Sequence, residues 1–222
     1  MTRISCVYTA ASSKMIATME RELTLHVPAP FVLHHDTNPE IIARIAKSGA
    51  ITSLDVTDLM RSYMKCLESD TDILINVCSS VGDIADQART LFNSAGMEIL
   101  CVDDDMCKQV VKEHQRIGVI ATLPSTLSPT CNRLLRHASE TNKTVVIKEL
   151  IADNAFGLSQ NDLSELLCKL ATKNSKDFDA VLLAQVSMAE CEQAISVACG
   201  KPTYSSPRFC ATAIARHLAG NK

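Results

Sequence analysis

The chain has 222 residues, 46% of them apolar, a formal net charge of only -3 and no Trp, so it can bury one large core or two small ones. Its charges are scattered and its aromatic content is 4%, which excludes the basic footprint of a nucleic-acid binder and argues against a stacking platform for bases or sugars. No apolar run approaches the roughly 18 residues of a membrane span, and residues 1–9 lack the apolar core of a signal peptide.

Ten cysteines would suggest a disulfide framework. Yet Cys6, Cys66, Cys101, Cys168, Cys191 and Cys199 fall in apolar stretches, where a free thiol behaves as a small hydrophobe, and no C-x-x-C spacing occurs. The expectation is free thiols in a reducing, cytoplasmic setting, without a zinc site or a redox motif.

In chain order, residues 4–9 read as a first strand that delivers Thr9, Ser12 and Ser13 to a turn before the helical pattern Met15, Ile16, Met19, Leu23. These hydroxyls are candidate ligand contacts, and Ser12 or Ser13 can equally be an N-cap. Residues 31–34 form a second strand, and Asn38 with Pro39 opens a helix over 40–48 that Gly49 closes. His34, His35 and Asp36 invite a metal reading, but adjacent strand residues point to opposite faces and the two imidazoles do not converge. Leu59, Met60, Tyr63, Met64 and Leu67 mark another helix.

The chain then runs Asp72-Ile73-Leu74-Ile75-Asn76-Val77-Cys78-Ser79-Ser80-Val81, a strand that ends on a cysteine and feeds a helix through two hydroxyl residues. At the carboxyl edge of a parallel sheet this is where ligands bind. The amides of Ser79, Ser80 and Val81, free of intrahelical partners, would form an anion site and favour a thiolate at Cys78. A short strand over 98–102 follows, and then Asp103, Asp104 and Asp105, which read as the cap of a helix over 106–113, with Asp103 a further candidate for the cleft.

Residues 116–121 begin a second half. The hydroxyl-rich segment 122–130, pinned by Pro124 and Pro129, is expected as a turn, followed by a helix through Leu134, Leu135 and Ala138, a strand over 145–150 and a helix over 162–171. The run Asp179 to Gln185 repeats Asp72 to Cys78 in length and pattern. Two equivalent strand ends facing one another would enclose a cleft, with Cys78 on one wall and Gln185 on the other. The tail leads through Pro202 and Pro207 into a last helix over 208–218 with no further strand expected. Alternating strands and helices give an α/β fold with parallel sheets.

Three segments together resemble the aspartate/glutamate/hydantoin racemase superfamily, which includes allantoin racemases, maleate isomerase and arylmalonate decarboxylase. They are Asn76 to Ser80, like the first catalytic-cysteine turn; residues 118–126, like the turn opening the second half; and Ser205-Ser206-Pro207 before a terminal helix. The resemblance implies two pseudo-symmetric lobes, each a parallel sheet flanked by helices, with the active site in the cleft between them. Residues 1–114 and 205–222 would form the first lobe and residues 115–204 the second. It implies no cofactor, a small carboxylate-bearing or hydantoin-like substrate, no nucleic-acid or membrane partner, and leaves a homo-oligomer open.

By the same resemblance Cys78 is an acid/base, Ser12, Asn76, Ser79, Ser80, Thr122 and Thr126 touch the substrate, and Gln185 and Ser187 complete the other side. Two-cysteine members move a proton between two opposed thiols, but this chain has Gln185 where the second is expected, and a carboxamide does not titrate near neutral pH. Cys191, six residues on, lies in the following helix. Three readings follow: a racemase or epimerase of amino acids (Asp/Glu) or hydantoins with Cys78 as one base; a one-base decarboxylase or cis-trans isomerase; and a non-catalytic binding protein on the same scaffold.

Overall fold

The computed structural model describes residues 1–28, 30–155 and 158–220, and the chain divides into two compact units, 1–102 with 210 onward, and 103–209. In the first, β1 (Thr2–Tyr8) leads to α1 (Ser13–His26), β2 (Phe31–Thr37), α2 (Pro39–Ser48), α3 (Ser53–Glu68) and β3 (Ile73–Asn76). A 3-10 turn, Ser79–Val81, then leads to α4 (Gly82–Ser94) and β4 (Glu98–Cys101). All pairings are parallel, in the order β2-β1-β3-β4. β3 is buried at all four positions, as a central parallel strand is when both sheet faces are covered, which is why its sequence shows no alternation.

The helix ends follow local chemistry. α2 closes on Gly49 at φ 71, and Pro39 starts it without a side-chain bond from Asn38. α3 opens on a capping box in which Thr52 and Asp55 exchange backbone and side-chain bonds. Asp55, fully buried, also accepts from Arg44 Nε at 2.6 Å, which ties α2 to α3. Val7, Leu74 and Ile99 of the sheet pack with Ile41, Ile45, Leu59, Tyr63 and Phe92 in one apolar cluster.

The second unit runs α5 (Asp104–Glu113), β5 (Arg116–Ala121), α6 (Pro124–Glu140), β6 (Val146–Ile151), α7 (Gln160–Lys173) and β7 (Ala180–Leu183). After a 3-10 segment, Val186–Cys191, come α8 (Glu192–Cys199), β8 (Thr203–Ser205) and the start of α9 (Ser206–Gly220). Its sheet is again all parallel, in the order β6-β5-β7-β8, the same order as in the first unit. The likeness extends to the strand heads. Asp72 accepts from the Arg3 amide at 2.7 Å and Asp179 from the Arg116 amide at 3.3 Å, so each aspartate pins its strand to the first strand of its own sheet.

Several expectations need correction. α5 groups with the second unit, where Met106, Cys107, Val110 and Val111 pack with Val119, Leu134 and Leu182. Segment 122–130 is helical from Pro124, because proline at the first helical position loses no bond. Pro129 lies inside that helix, and the Thr130 hydroxyl returns a bond to the Thr126 carbonyl at 2.9 Å. A strand does follow Pro202: β8 is three residues long and exists through pairing with β7, where Val181 N–H donates to the Pro202 carbonyl at 2.9 Å. Gly118 of β5 has a specific reason, since a Cβ there would lie 2.6 Å from Cδ1 of the buried Phe178 ring.

Candidate active site

The strand register determines which residues meet at the carboxyl edge of each sheet. In the first unit Val7 of β1 is paired with Asn76 of β3. Two residues further on, Thr9 therefore comes alongside Cys78. In the second unit Ile120 of β5 is paired with Leu183 of β7, and the same step brings Thr122 alongside Gln185. Thr9 and Cys78 thus occupy the places in their sheet that Thr122 and Gln185 occupy in theirs.

The two positions differ in chemistry. Asn76 Nδ2 donates to the Cys78 carbonyl at 2.9 Å, which fixes the carboxamide beside the cysteine. Its Oδ1 is buried with no hydrogen-bond partner among the described residues, and the same holds for Thr9 Oγ1, apart from its approach to the Cys78 sulfur. The Thr9 hydroxyl, the Ser80 and Val81 amides and the Ser80 hydroxyl all favour a thiolate at Cys78, but burial outweighs them and pushes the thiol above its ordinary value. The residue is only half-buried by exposed area, yet its surroundings are dense enough for desolvation to win.

The turn's amides and hydroxyls thus favour the thiolate less than burial disfavours it. The 3-10 turn separates Cys78 from α4, and the Val81 amide is partly engaged by the Cys78 carbonyl at 3.3 Å. Ser79 and Ser80 are buried within that turn. Ser12 is exposed, and its hydroxyl caps α1 by accepting from the Met15 amide at 3.2 Å.

In the second unit Gln185 Oε1 accepts from both the Thr122 amide, at 2.7 Å, and the Thr122 hydroxyl, at 2.9 Å. The carboxamide oxygen thus engages both Thr122 donors. Thr126 is buried one turn into α6, and Ser187 is half-buried in the 3-10 segment after β7. Cys191 is buried, its sulfur accepts from Gln160 Nε2 at 3.1 Å, and burial raises its thiol.

Asp103 does not cap α5 with its side chain. It is buried opposite Arg133 Nε at 3.2 Å, while Asp104 meets Arg133 at 2.8 Å, Arg136 at 3.1 Å and His137 at 3.0 Å. The His137 bond and the Arg133 charge hold the Asp104 carboxyl well below the usual range despite its burial. This cluster locks α5 to α6. On β2, His34 is exposed while His35 is half-buried and meets the Tyr8 hydroxyl at 3.2 Å.

Sequence reading passed over the Tyr63 hydroxyl, which is buried without a hydrogen-bond partner among the described residues and feels the Cys78 and Cys101 thiols. It also passed over Ser125 Oγ, buried and unpartnered among the described residues. No local signal marks either one, because a tyrosine on an apolar helix face and a serine after a proline look like core and turn. A cavity of about 510 Å³ in the first unit, lined by Asp72, Glu98, Asn93 and His217 among others, opens at the opposite, amino-terminal edge of the sheet from Cys78. No helix among the described residues is long and apolar enough to cross a membrane.

No family model matches the sequence, and no curated protein matches it. The fold has clear counterparts among solved structures. A glutamate racemase from Francisella tularensis, solved with D-glutamate, superposes with a TM-score of 0.74 at 13% identity, covering 99% of this chain and 82% of that one. The allantoin racemase from Klebsiella pneumoniae gives 0.68 at 15% identity over 100% and 89% of the two chains. A maleate isomerase from Pseudomonas putida gives 0.65 at 14% over 98% and 93%. Two four-stranded parallel sheets of one repeated order, matched over nearly the whole chain, show that this protein has the α/β fold of these racemase and isomerase structures.

Proposed function

We propose that this chain is a cofactor-independent enzyme of proton transfer at a carbon acid, a racemase- or epimerase-like protein acting on an amino acid of the Asp/Glu type or a hydantoin. Cys78 is its acid/base, and Gln185 stands in place of a second thiol. The observation that carries the reading is the setting of Cys78 at the carboxyl edge of its sheet. Its sulfur has the Thr9 hydroxyl and the Ser80 and Val81 amides around it, and the buried Asn76 Oδ1 is unpartnered among the described residues. Native interiors pair nearly all such atoms, so an exception calls for a partner such as a ligand, a water or an ion. Charge developing on a substrate carboxylate as its neighbouring carbon loses a proton is stabilised by fixed donors of this kind, by several kcal/mol in a site without bulk water.

A one-base reaction, decarboxylation or cis-trans isomerisation, is favoured as the second reading by two features of the same residues. The Cys78 thiol is raised, so it is a better proton donor than base at neutral pH. Gln185 is engaged by Thr122 and carries no titrating group. The substrate-contact roles of Ser12, Ser79, Ser80, Thr122, Thr126 and Ser187, and a small carboxylate or hydantoin-like ligand, belong to the same proposal. Seven of the ten free cysteines are buried, which fits a reducing, cytoplasmic setting.

Incubation with aspartate, glutamate or a 5-substituted hydantoin in deuterated water, followed by proton NMR, tests the proposal. Loss of the α-proton signal with the wild-type chain and not with Cys78→Ala is the expected outcome. Absence of exchange, isomerisation and decarboxylation for every candidate acid, alongside measurable ligand binding, would make the chain a binding protein.

A further inference from the structure

We propose that the cavity at the amino-terminal edge of the first sheet binds a small organic cation, an ammonium or guanidinium on a short apolar stem, at a site separate from Cys78. Its walls all belong to the first unit: the heads of β1, β3 and β4, the C-terminal end of α4 and the last turn of α9. Its volume of about 510 Å³ falls within the range of roughly 300–1,000 Å³ usual for small-molecule sites. β3 starts at this cavity with Ile73 and ends at Asn76, two residues short of Cys78, so the two sites lie at opposite ends of one strand.

The walls attract positive charge. Glu98 is half-buried and belongs to no ion pair among the described residues. Asp72 gives one oxygen to the Arg3 amide at 2.7 Å, while the Arg3 guanidinium is drawn away to Asp70 at 3.1 Å. The backbone adds to both, because α4, of 13 residues, and α9, of 15, end at this cavity with their carbonyl poles. The last turn of α4 carries no basic residue, and that of α9 carries His217. One imidazole against two carboxylates leaves the wall negative even when it is protonated. Met1, at the rim, is 80% exposed, so a charge on its amine is screened by water.

The same walls decide what kind of cation fits. Ile73 is buried and Leu218 half-buried, which offers a methylene stem an apolar surface to lie against. Two carboxylates fall short of the about six oxygen ligands that a hard divalent ion demands, and no group of His, Cys, Asp and Glu among the described residues is arranged to hold a metal. A dicarboxylate is repelled by Glu98 and Asp72, so this ligand is not the substrate proposed for Cys78. Asp72 also pins β3 to β1, and a charge on the edge strand β4 discourages further pairing. Neither task calls for an open cavity between two helix ends.

Isothermal titration calorimetry on the full chain tests the site, with agmatine and putrescine as probes and succinate at matched ionic strength as the control. Both amines are expected to bind saturably and succinate to give no heat of binding. Glu98→Gln, checked for folding by circular dichroism, should weaken the amines by ~10-fold or more, and Cys78→Ala should leave them unchanged. Amide hydrogen exchange on the wild-type chain gives a readout that needs no variant: agmatine should protect the segments around 93–98 and 217–218. No binding of either amine at millimolar concentration, undiminished binding in Glu98→Gln, or protection confined to other segments overturns the proposal. A loss of binding in Cys78→Ala would place the amine at the other end of β3 and overturns it as well. None of these results alters the reading of Cys78 as the acid/base, which α-proton exchange tests separately.

Discussion

Replacing Gln185 by alanine tests the most specific contact in the second unit. The mutation removes one oxygen that accepts from two Thr122 donors, at 2.7 and 2.9 Å. Thr122 is 9% exposed, so its amide loses its acceptor in a place that water reaches poorly, and a buried donor left unpaired costs about 1–3 kcal/mol. The hydroxyl can rotate toward another acceptor, and Gln185 itself is half-buried, so the second bond adds little. The expected loss is therefore about 1–3 kcal/mol in urea unfolding followed by circular dichroism. Gln185→Glu keeps an acceptor on the same stem and should lose less than about 1 kcal/mol, with its carboxyl held below the usual range by the two donors. If Gln185→Ala unfolds at the wild-type urea concentration, or if Gln185→Glu is as damaging, the carboxamide does not hold this turn.

Other perturbations have equally definite outcomes. Gly118→Ala places a methyl 2.6 Å from Phe178 Cδ1 and should cost about 1–3 kcal/mol in urea unfolding, with Phe178→Leu restoring part of the loss in the double variant. Arg133→Met leaves the buried Asp103 and the half-buried Asp104 without their nearest cation and should cost about 3 kcal/mol, chiefly at Asp103, whereas Arg136→Met, at a far more exposed position, should change unfolding by less than about 1 kcal/mol. Burial pushes the Cys6 and Cys131 thiols up to about 12 from an ordinary value near 9. The folded chain thus keeps protons that the unfolded chain releases. Their contribution to stability is full below pH 9 and is lost as pH rises toward 12. Urea midpoints measured across that range should fall steadily, and a flat profile would show that these thiols are not desolvated.

The features legible in the sequence are those that local physics controls. β3 and β7 stand out as short apolar runs because both faces of a central parallel strand are covered, and each is buried at every position. The equivalence of Cys78 and Gln185 was also readable, as the last residue of two runs of one length. What they do was not, because it depends on partners across the sheet. Gln185 is held by Thr122, 63 positions away in sequence, and the orientation of the Asn76 carboxamide is set by a bond to the Cys78 carbonyl that no pattern of residue types reveals.

The misreadings have the same origin. Asp103 at the head of a helix looks like a cap until Arg133, thirty positions on, takes its carboxylate into the interior. A cysteine ahead of a helix looks like a thiolate until the density of its surroundings is known. β8 is too short to announce itself and is a strand only because β7 pairs with it.

Alkylation of Cys78, followed in parallel with solvent deuterium exchange, addresses the central claim most directly. With iodoacetamide at mildly alkaline pH, exchange of the α-proton of the best acid found should fall in step with the fraction of Cys78 modified, whatever the state of the other thiols. Full modification of Cys78 with exchange undiminished would place the proton-transfer group elsewhere in the chain.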